Sequence, residues 1–446
     1  MKSYQFKFWH FGLLVTLVIG STAAYNLEFS DKTLFVSGEM SHGHHQIELA
    51  CSSCHSDGFA GADAMQQACL NCHADELELA NDSHPRKKFL DPRNAPLLTH
   101  LDARQCVTCH TEHKPEITRN MGVTLAGDFC FHCHSDIADE RNSHQDFAFD
   151  SCASAGCHNF HDNRTLYEDF LMAHVGQPAL LPEARLPART AMQTWLQENP
   201  REEPLQLQQA DLNVGNAHGD IAAAWAGSAH AQVTVNCSGC HSDGQMQFSS
   251  REIAEQCGSC HSEQRDAFID GKHGMRLSAQ LPQDFAARSG AMSPPQARLP
   301  MQAEATGELS CVSCHGPHET DLQFAAVEAC LSCHNDKHSL AFKESAHFRS
   351  WSAGAADGVS CAGCHLPRER DGERVLVNHN QNHNLRPNDK MLPVCLNCHG
   401  AEFALSALAD KELVGHNFNS KPADGHKSFD LIRDRIARIA NSKKTQ

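Results

Sequence analysis

The sequence predicts a mainly α-helical chain with extensive irregular loops and little regular secondary structure, wrapped around inorganic groups that form its core. Three observations predict this class. Of the 446 residues, 22 are cysteine and 32 are histidine, far more metal-binding side chains than apolar packing needs. Hydrophobic residues are 41% of the chain and aromatic residues 7%, a modest stock for a length that suits two or three domains. The cysteines and histidines recur in regular short motifs, which sets aside disorder of the whole chain. With 37 basic and 54 acidic side chains the net charge is −17 and there is no basic block, so no nucleic acid is expected as a partner.

Every cysteine belongs to a motif that ends in histidine. Five motifs lie in the first half: Cys51, Cys54 and His55; Cys69, Cys72 and His73; Cys106, Cys109 and His110; Cys130, Cys133 and His134; and Cys152, Cys157 and His158, the last with four residues between its cysteines. The second half holds six: Cys237, Cys240 and His241; Cys257, Cys260 and His261; Cys311, Cys314 and His315; Cys330, Cys333 and His334; Cys361, Cys364 and His365; and Cys395, Cys398 and His399. No cysteine is left over.

Cys-x-x-Cys-His is the attachment motif for c-type haem. The thiols add to the porphyrin vinyl groups, and the adjacent histidine reaches the iron from the proximal side. Two intervening residues close one helical turn, so both sulfurs and the imidazole face one edge of the macrocycle. Four residues bulge that turn while delivering the same groups. Structural zinc, disulfides and thioredoxin-like pairs also use paired cysteines, and the 15 residues between His241 and Cys257 suit a zinc spacing. None of these needs a histidine directly after the second cysteine, and here one stands after all eleven pairs. The expected cofactors are eleven covalently attached c-type haems and their iron. Eleven groups in 446 residues leave no chain for a separate domain around each. The macrocycles are expected to share one core and lie close together, as electron tunnelling between them requires.

In chain order, Lys2 and Lys7 come first, ahead of an apolar run from Phe8 to Tyr25, which exports the rest of the chain across a membrane. Thr22-Ala23-Ala24 offers a cleavage site, so residues 1–25 read either as a removable signal peptide or as an uncleaved anchor in the cytoplasmic membrane. Residues 26–175 hold the first five motifs and read as a pentahaem domain. Residues 176–217 are rich in Pro, Gln and Glu and lack cysteine; they read as a linker with a short helix at Arg189–Glu198. Residues 218–446 hold six motifs and read as a hexahaem domain, interrupted by a proline-containing insertion from Gln280 to Glu308. Its motifs look duplicated, with Ser228-Ala229-His230 ahead of Cys237 and Ser345-Ala346-His347 ahead of Cys361. Short helices are expected to begin near the motifs. At the C-terminus Ser428 can cap a helix in which Ile432, Ile436 and Ile439 share one face.

Twenty-one histidines lie outside the motif positions, enough to give every iron a second imidazole. His113, His161 and His318 stand three residues after a motif histidine, and His338 stands four after. On a continuing helix this offset points them toward a neighbouring haem. His42, His45, His144, His230 and His347 precede motifs, while His84, His174, His273, His383 and His416 complete the candidate iron ligands. No methionine has a recurring offset.

On these residues the chain resembles the multihaem class III cytochromes c of bacterial periplasms. The pair His42-x-x-His45 ahead of Cys51 and the long spacer from Cys152 to Cys157 are similar to their small tetrahaem and trihaem members, over about residues 40–175. The resemblance implies that His42 ligates the nearest haem and His45 a different one. Five motifs and an N-terminal apolar run also make this half similar to membrane-tethered pentahaem electron-transfer subunits. The other half resembles doubled Cys-x-x-Cys-His modules, including those of multihaem reductases.

The function expected is electron transfer in the periplasm, along eleven haems, between a membrane-associated quinol-oxidising donor or a terminal reductase and another redox protein. The rival is a multihaem reductase or oxidase of a small nitrogen or sulfur compound, which needs one iron with an open position. Multihaem nitrite reductases place Lys at the motif His of the active haem, and no Cys-x-x-Cys-Lys occurs here. The balance favours a carrier without substrate chemistry and without a catalytic residue.

Overall fold

The structure, a computed structural model, describes residues 8–29, 35, 37–48, 50–55, 61–141, 144–145, 159–162, 168–186, 203–212, 219–242, 244–278, 281, 299–305, 309–355, 358–372, 374–385 and 390–444. The motif of Cys152, Cys157 and His158, the helix expected at Arg189–Glu198 and most of the insertion at 280–308 lie outside these residues.

Helices and irregular loops dominate, as the composition predicts. Regular β structure among the described residues is one hairpin, Arg368–Asp371 antiparallel to Arg374–Val377 with Arg368 opposite Val377. Gly372 turns it with φ at 60°, a conformation that strains other side chains.

The first helix, Phe8–Phe29, leaves Phe8, Trp9, Leu17 and Ile19 exposed. Its segment Phe8–Asn26 has a mean hydropathy of 1.4 and none of it is buried against the rest of the chain. Among the described residues it is the one helix long and apolar enough to cross a membrane, a property that signal sequences share.

Each described motif closes a single helical turn. The motif histidine's backbone N–H donates to the carbonyl of the first cysteine, at 2.8 Å from His55 to Cys51, 2.9 Å from His110 to Cys106 and 2.8 Å from His399 to Cys395. That i to i+4 bond holds the imidazole beside both thiols. Most such turns are short, but Cys69, Cys72 and His73 lie within a 19-residue helix, Ala62–Ala80. It stops at Asn81, whose φ of 58° is left-handed, a conformation that asparagine tolerates at helix ends.

The repeated Ser-Ala-His sequence has a local cause. Ser228 accepts the N–H of Ala231 at 3.3 Å, and Ser345 accepts that of Phe348 at 3.0 Å. Each serine is buried and caps the helix turn that presents the adjoining histidine. Ser345→Ala is expected to cost about 1 kcal/mol, read as a shift in the denaturation midpoint; an unchanged midpoint would show the cap to be dispensable.

Among the described residues, the larger cluster of buried apolar side chains gathers around the C-terminal segment. Leu171, Leu392, Ala401, Ala404, Leu405, Leu408, Phe429 and Ile432 pack together. The final helix, Lys427–Lys444, begins one residue before Ser428, so Ser428 lies inside the first turn instead of capping it. Phe429 and Ile432 are buried and Ile436 packs at the edge, while Ile439 is exposed. The buried face therefore starts one turn earlier than the isoleucine spacing suggests, because Phe429 anchors it.

Leu171 belongs to the helix Glu168–His174, so chain from before residue 175 packs with chain beyond 390. The residues after this helix continue the contact. Leu181 and Arg185 donate backbone N–H groups to the carbonyls of Cys398 and Asn397, both at 2.8 Å. A Cβ on Gly400 would stand 2.5 Å from the Pro178 carbonyl oxygen, so only glycine allows this approach. Farther on, Leu205 N–H donates to Ala231 O at 3.0 Å and Ser238 N–H to Asp211 at 3.0 Å. Both described ends of the proline-rich stretch are thus bonded to the second cluster. The two clusters also meet directly, where Ile47 and Ala50 pack on Leu281.

Candidate metal centres

Nine motif histidines among the described residues face a second histidine ring. His73 faces His44, His134 faces His84, His110 faces His161, and His261 faces His230. His241 faces His318, His334 faces His273, and His315 faces His379. His365 faces His338, and His399 faces His347. Their ring centres are 5.9 to 6.3 Å apart. An imidazole nitrogen binds a metal at about 2 Å and the ring centre lies about 1 Å beyond it, so two rings on opposite sides of one ion stand about 6 Å apart. The observed separations match that arrangement.

Hydrogen bonds orient the rings. Nδ1 of His84 bonds to the Phe160 carbonyl, of His110 to Gly122 at 3.2 Å, of His241 to Gln245 at 2.6 Å and of His338 to Val414. His379 bonds to Val377 at 2.8 Å and His399 to Ala179 at 2.9 Å. A carbonyl oxygen can only accept, so Nδ1 carries the hydrogen and the Nε2 lone pair is left for a metal. Burial, with His334 and His365 nearby, lowers His273 to about 4. Burial, with His338 and His334 nearby, does the same to His365. Both rings are therefore neutral at pH 7, the form that ligates.

Thiols of different motifs meet as well. Cys69 lies beside Cys106, Cys257 beside Cys311, and Cys330 beside Cys361. Attachment sites that are distant in sequence therefore adjoin.

A family model described as cytochrome c3 matches residues 43–135. This supports a multihaem c-type cytochrome. No curated protein and no solved structure matches the chain. Cytochromes c3 carry covalently bound haem, and the geometry fits that group: two thiols and an imidazole on one turn, with a second imidazole across from it. Bound there, haem iron supplies a one-electron couple. The facing imidazoles would hold such a group, and the chain's own part is to orient their rings through Nδ1 and leave Nε2 turned inward.

Within the cytochrome c3 match and beyond it, one pattern recurs. A histidine ahead of two successive motifs faces the second of them: His44 faces His73, His84 faces His134, His230 faces His261, His273 faces His334, and His347 faces His399. The first motif of a pair is faced from farther along the chain in three cases, by His161, His318 and His379.

Of the candidate second ligands, His84, His161, His230, His273, His318, His338 and His347 are brought opposite a motif histidine. Between His42 and His45 it is His44 that faces His73, while His45 bonds Glu48 at 3.1 Å. His379 stands opposite His315, and His383 instead turns Nε2 toward Glu369 at 3.4 Å. His416 lies beside Glu412 at 3.7 Å. His174 bonds Phe170 O at 2.7 Å and stacks on that ring. His144 is partly buried near Arg141, and both effects lower its pKa. His113 donates Nδ1–H to Gly38 O at 2.7 Å. A further pair, His100 and His132, stands 5.8 Å apart with rings parallel to 2°. The repeat was the available signal for His44, since its place relative to two motifs matches that of His230 and His347.

Proposed function

We propose that the chain is an extracytoplasmic electron-transfer protein carrying eleven covalently attached haems. Electrons pass between a membrane-associated donor and a redox partner, and the N-terminal helix serves as export signal or anchor. The observation that carries this reading is the closing of nine motif histidines by a second ring at about one metal's width. A site with an imidazole on each side has no position for substrate, whereas electron transfer needs none.

The same pattern supports a partner for the first motif. His318 stands three residues beyond His315 and faces His241, the first motif of the preceding pair. His113 stands three residues beyond His110, which on this pattern supports it as the partner of His55. Its Nδ1 bond to Gly38 leaves Nε2 available. We group the motifs into clusters of five and six, with residues 168–186 and 203–212 held against the second.

Two measurements test the reading. The mass of the denatured protein should exceed that of the bare chain by eleven haems, and zinc in place of iron would end it. Electron paramagnetic resonance of the oxidised protein should show low-spin irons at the paired sites. A high-spin iron in the parent that binds a small nitrogen or sulfur compound would favour catalysis instead.

A further inference from the structure

One facing pair differs from the rest in what holds its rings. His44 directs Nδ1 to Glu112 Oε1 at 2.7 Å, and His73 directs Nδ1 to Glu76 Oε2 at 2.8 Å. Glu112 is fixed in turn by the N–H of Ser41 at 2.7 Å and its hydroxyl at 2.8 Å. Elsewhere Nδ1 of His84, His241, His338, His379 and His399 bonds to a backbone carbonyl. His161 does bond Asp82, at 3.0 Å, but the ring opposite it is held by Gly122 O. His334 has Asp336 no nearer than 3.9 Å. Among the described residues, the His44–His73 pair alone has a carboxylate hydrogen-bonded to both rings.

We infer that Glu76 and Glu112 are positioning residues that lower the potential of the Cys69–Cys72–His73 centre. This rests on the haem reading above. A carboxylate that accepts from a ligating imidazole draws its proton away and raises the ligand's basicity. The added negative charge also favours the ferric over the ferrous state. Two carboxylates on opposite faces of one centre act in the same direction. Glu112 has the larger part, because its side chain is 25% exposed against 50% for Glu76, and water screens the latter.

The test is spectroelectrochemical titration of the full-length, haem-loaded protein with Glu112→Gln, Glu76→Gln and both together. Glutamine keeps the shape and removes the charge. One haem equivalent should be reduced more readily, by about tenfold in its ferrous-to-ferric ratio for Glu112→Gln, which is 59 mV for one electron. The double variant should shift the same equivalent further, and Glu112→Asp should restore most of the parent curve. An unchanged titration, or a uniform shift of all the haems, overturns the inference. His44→Ala separates the two levels: a new high-spin iron together with unmoved glutamine variants would sink this inference alone. If His44→Ala leaves every iron low-spin, the ligand reading fails first.

Discussion

Replacing His44 with alanine should convert one low-spin iron to high-spin. The His44 ring stands 5.9 Å from that of His73 with Nδ1 committed to Glu112, so Nε2 is the atom presented across the pair. Removing a strong-field imidazole leaves five-coordinate or water-bound iron, which binds carbon monoxide on reduction. The measurement is the high-spin ferric signal per protein, with carbon monoxide uptake as a second readout. If His45→Ala produced the new signal and His44→Ala did not, the pairing of His44 with His73 would be refuted. His113→Ala should give the same result at the first motif.

Phe429→Ala should cost about 3–5 kcal/mol, the range for truncating a buried aromatic side chain. Phe429 is 0% exposed and packs with Leu171, Leu392, Leu405 and Ile432. It joins the final helix to a segment near residue 171 and to the helix Ala401–Ala409 that comes after the last motif. Chemical denaturation monitored by circular dichroism measures the loss, and a cost below about 1 kcal/mol would show the cluster to be loosely packed. The surface pairs Glu402–Arg433 and Glu168–Arg435 cross the same interface. Their removal should cost far less, because water screens exposed ion pairs.

The motif turns were legible in the sequence because their geometry is local. Cysteine, two residues, cysteine and histidine close one turn by a bond from residue i+4 to residue i, whatever the surroundings. The facing histidines were most legible where a local rule placed them. Ser-Ala-His set His230 and His347 on capped turns. Offsets of three and four residues directed His161, His318 and His338 away from their own motifs. His44 was hidden between two other histidines, and the choice among them depends on Glu112, which lies 68 residues away. His379 and His383 flank one loop; the hairpin Arg368–Val377 decides between them, giving Val377 O to His379 and Glu369 to His383.

The proline-rich stretch shows the same limit. Its composition reads as a solvated connector, yet residues 180–185 bond along Asn397, Cys398 and His399. Backbone donors and acceptors depend on no particular side chain, so composition carries no record of where they bond.

By itself the sequence determined the donor groups and the class: eleven cysteine–histidine motifs on a mainly helical chain, with an apolar N-terminal run. Each of these comes from residue type and from spacing within about one helical turn. Tertiary structure alone decided which imidazole faces which motif, that the carboxylates of Glu76 and Glu112 both bear on one centre, and that residues beyond 168 dock on the last motif. Those outcomes depend on distances between residues tens to hundreds of positions apart, which chain packing sets and local spacing does not encode.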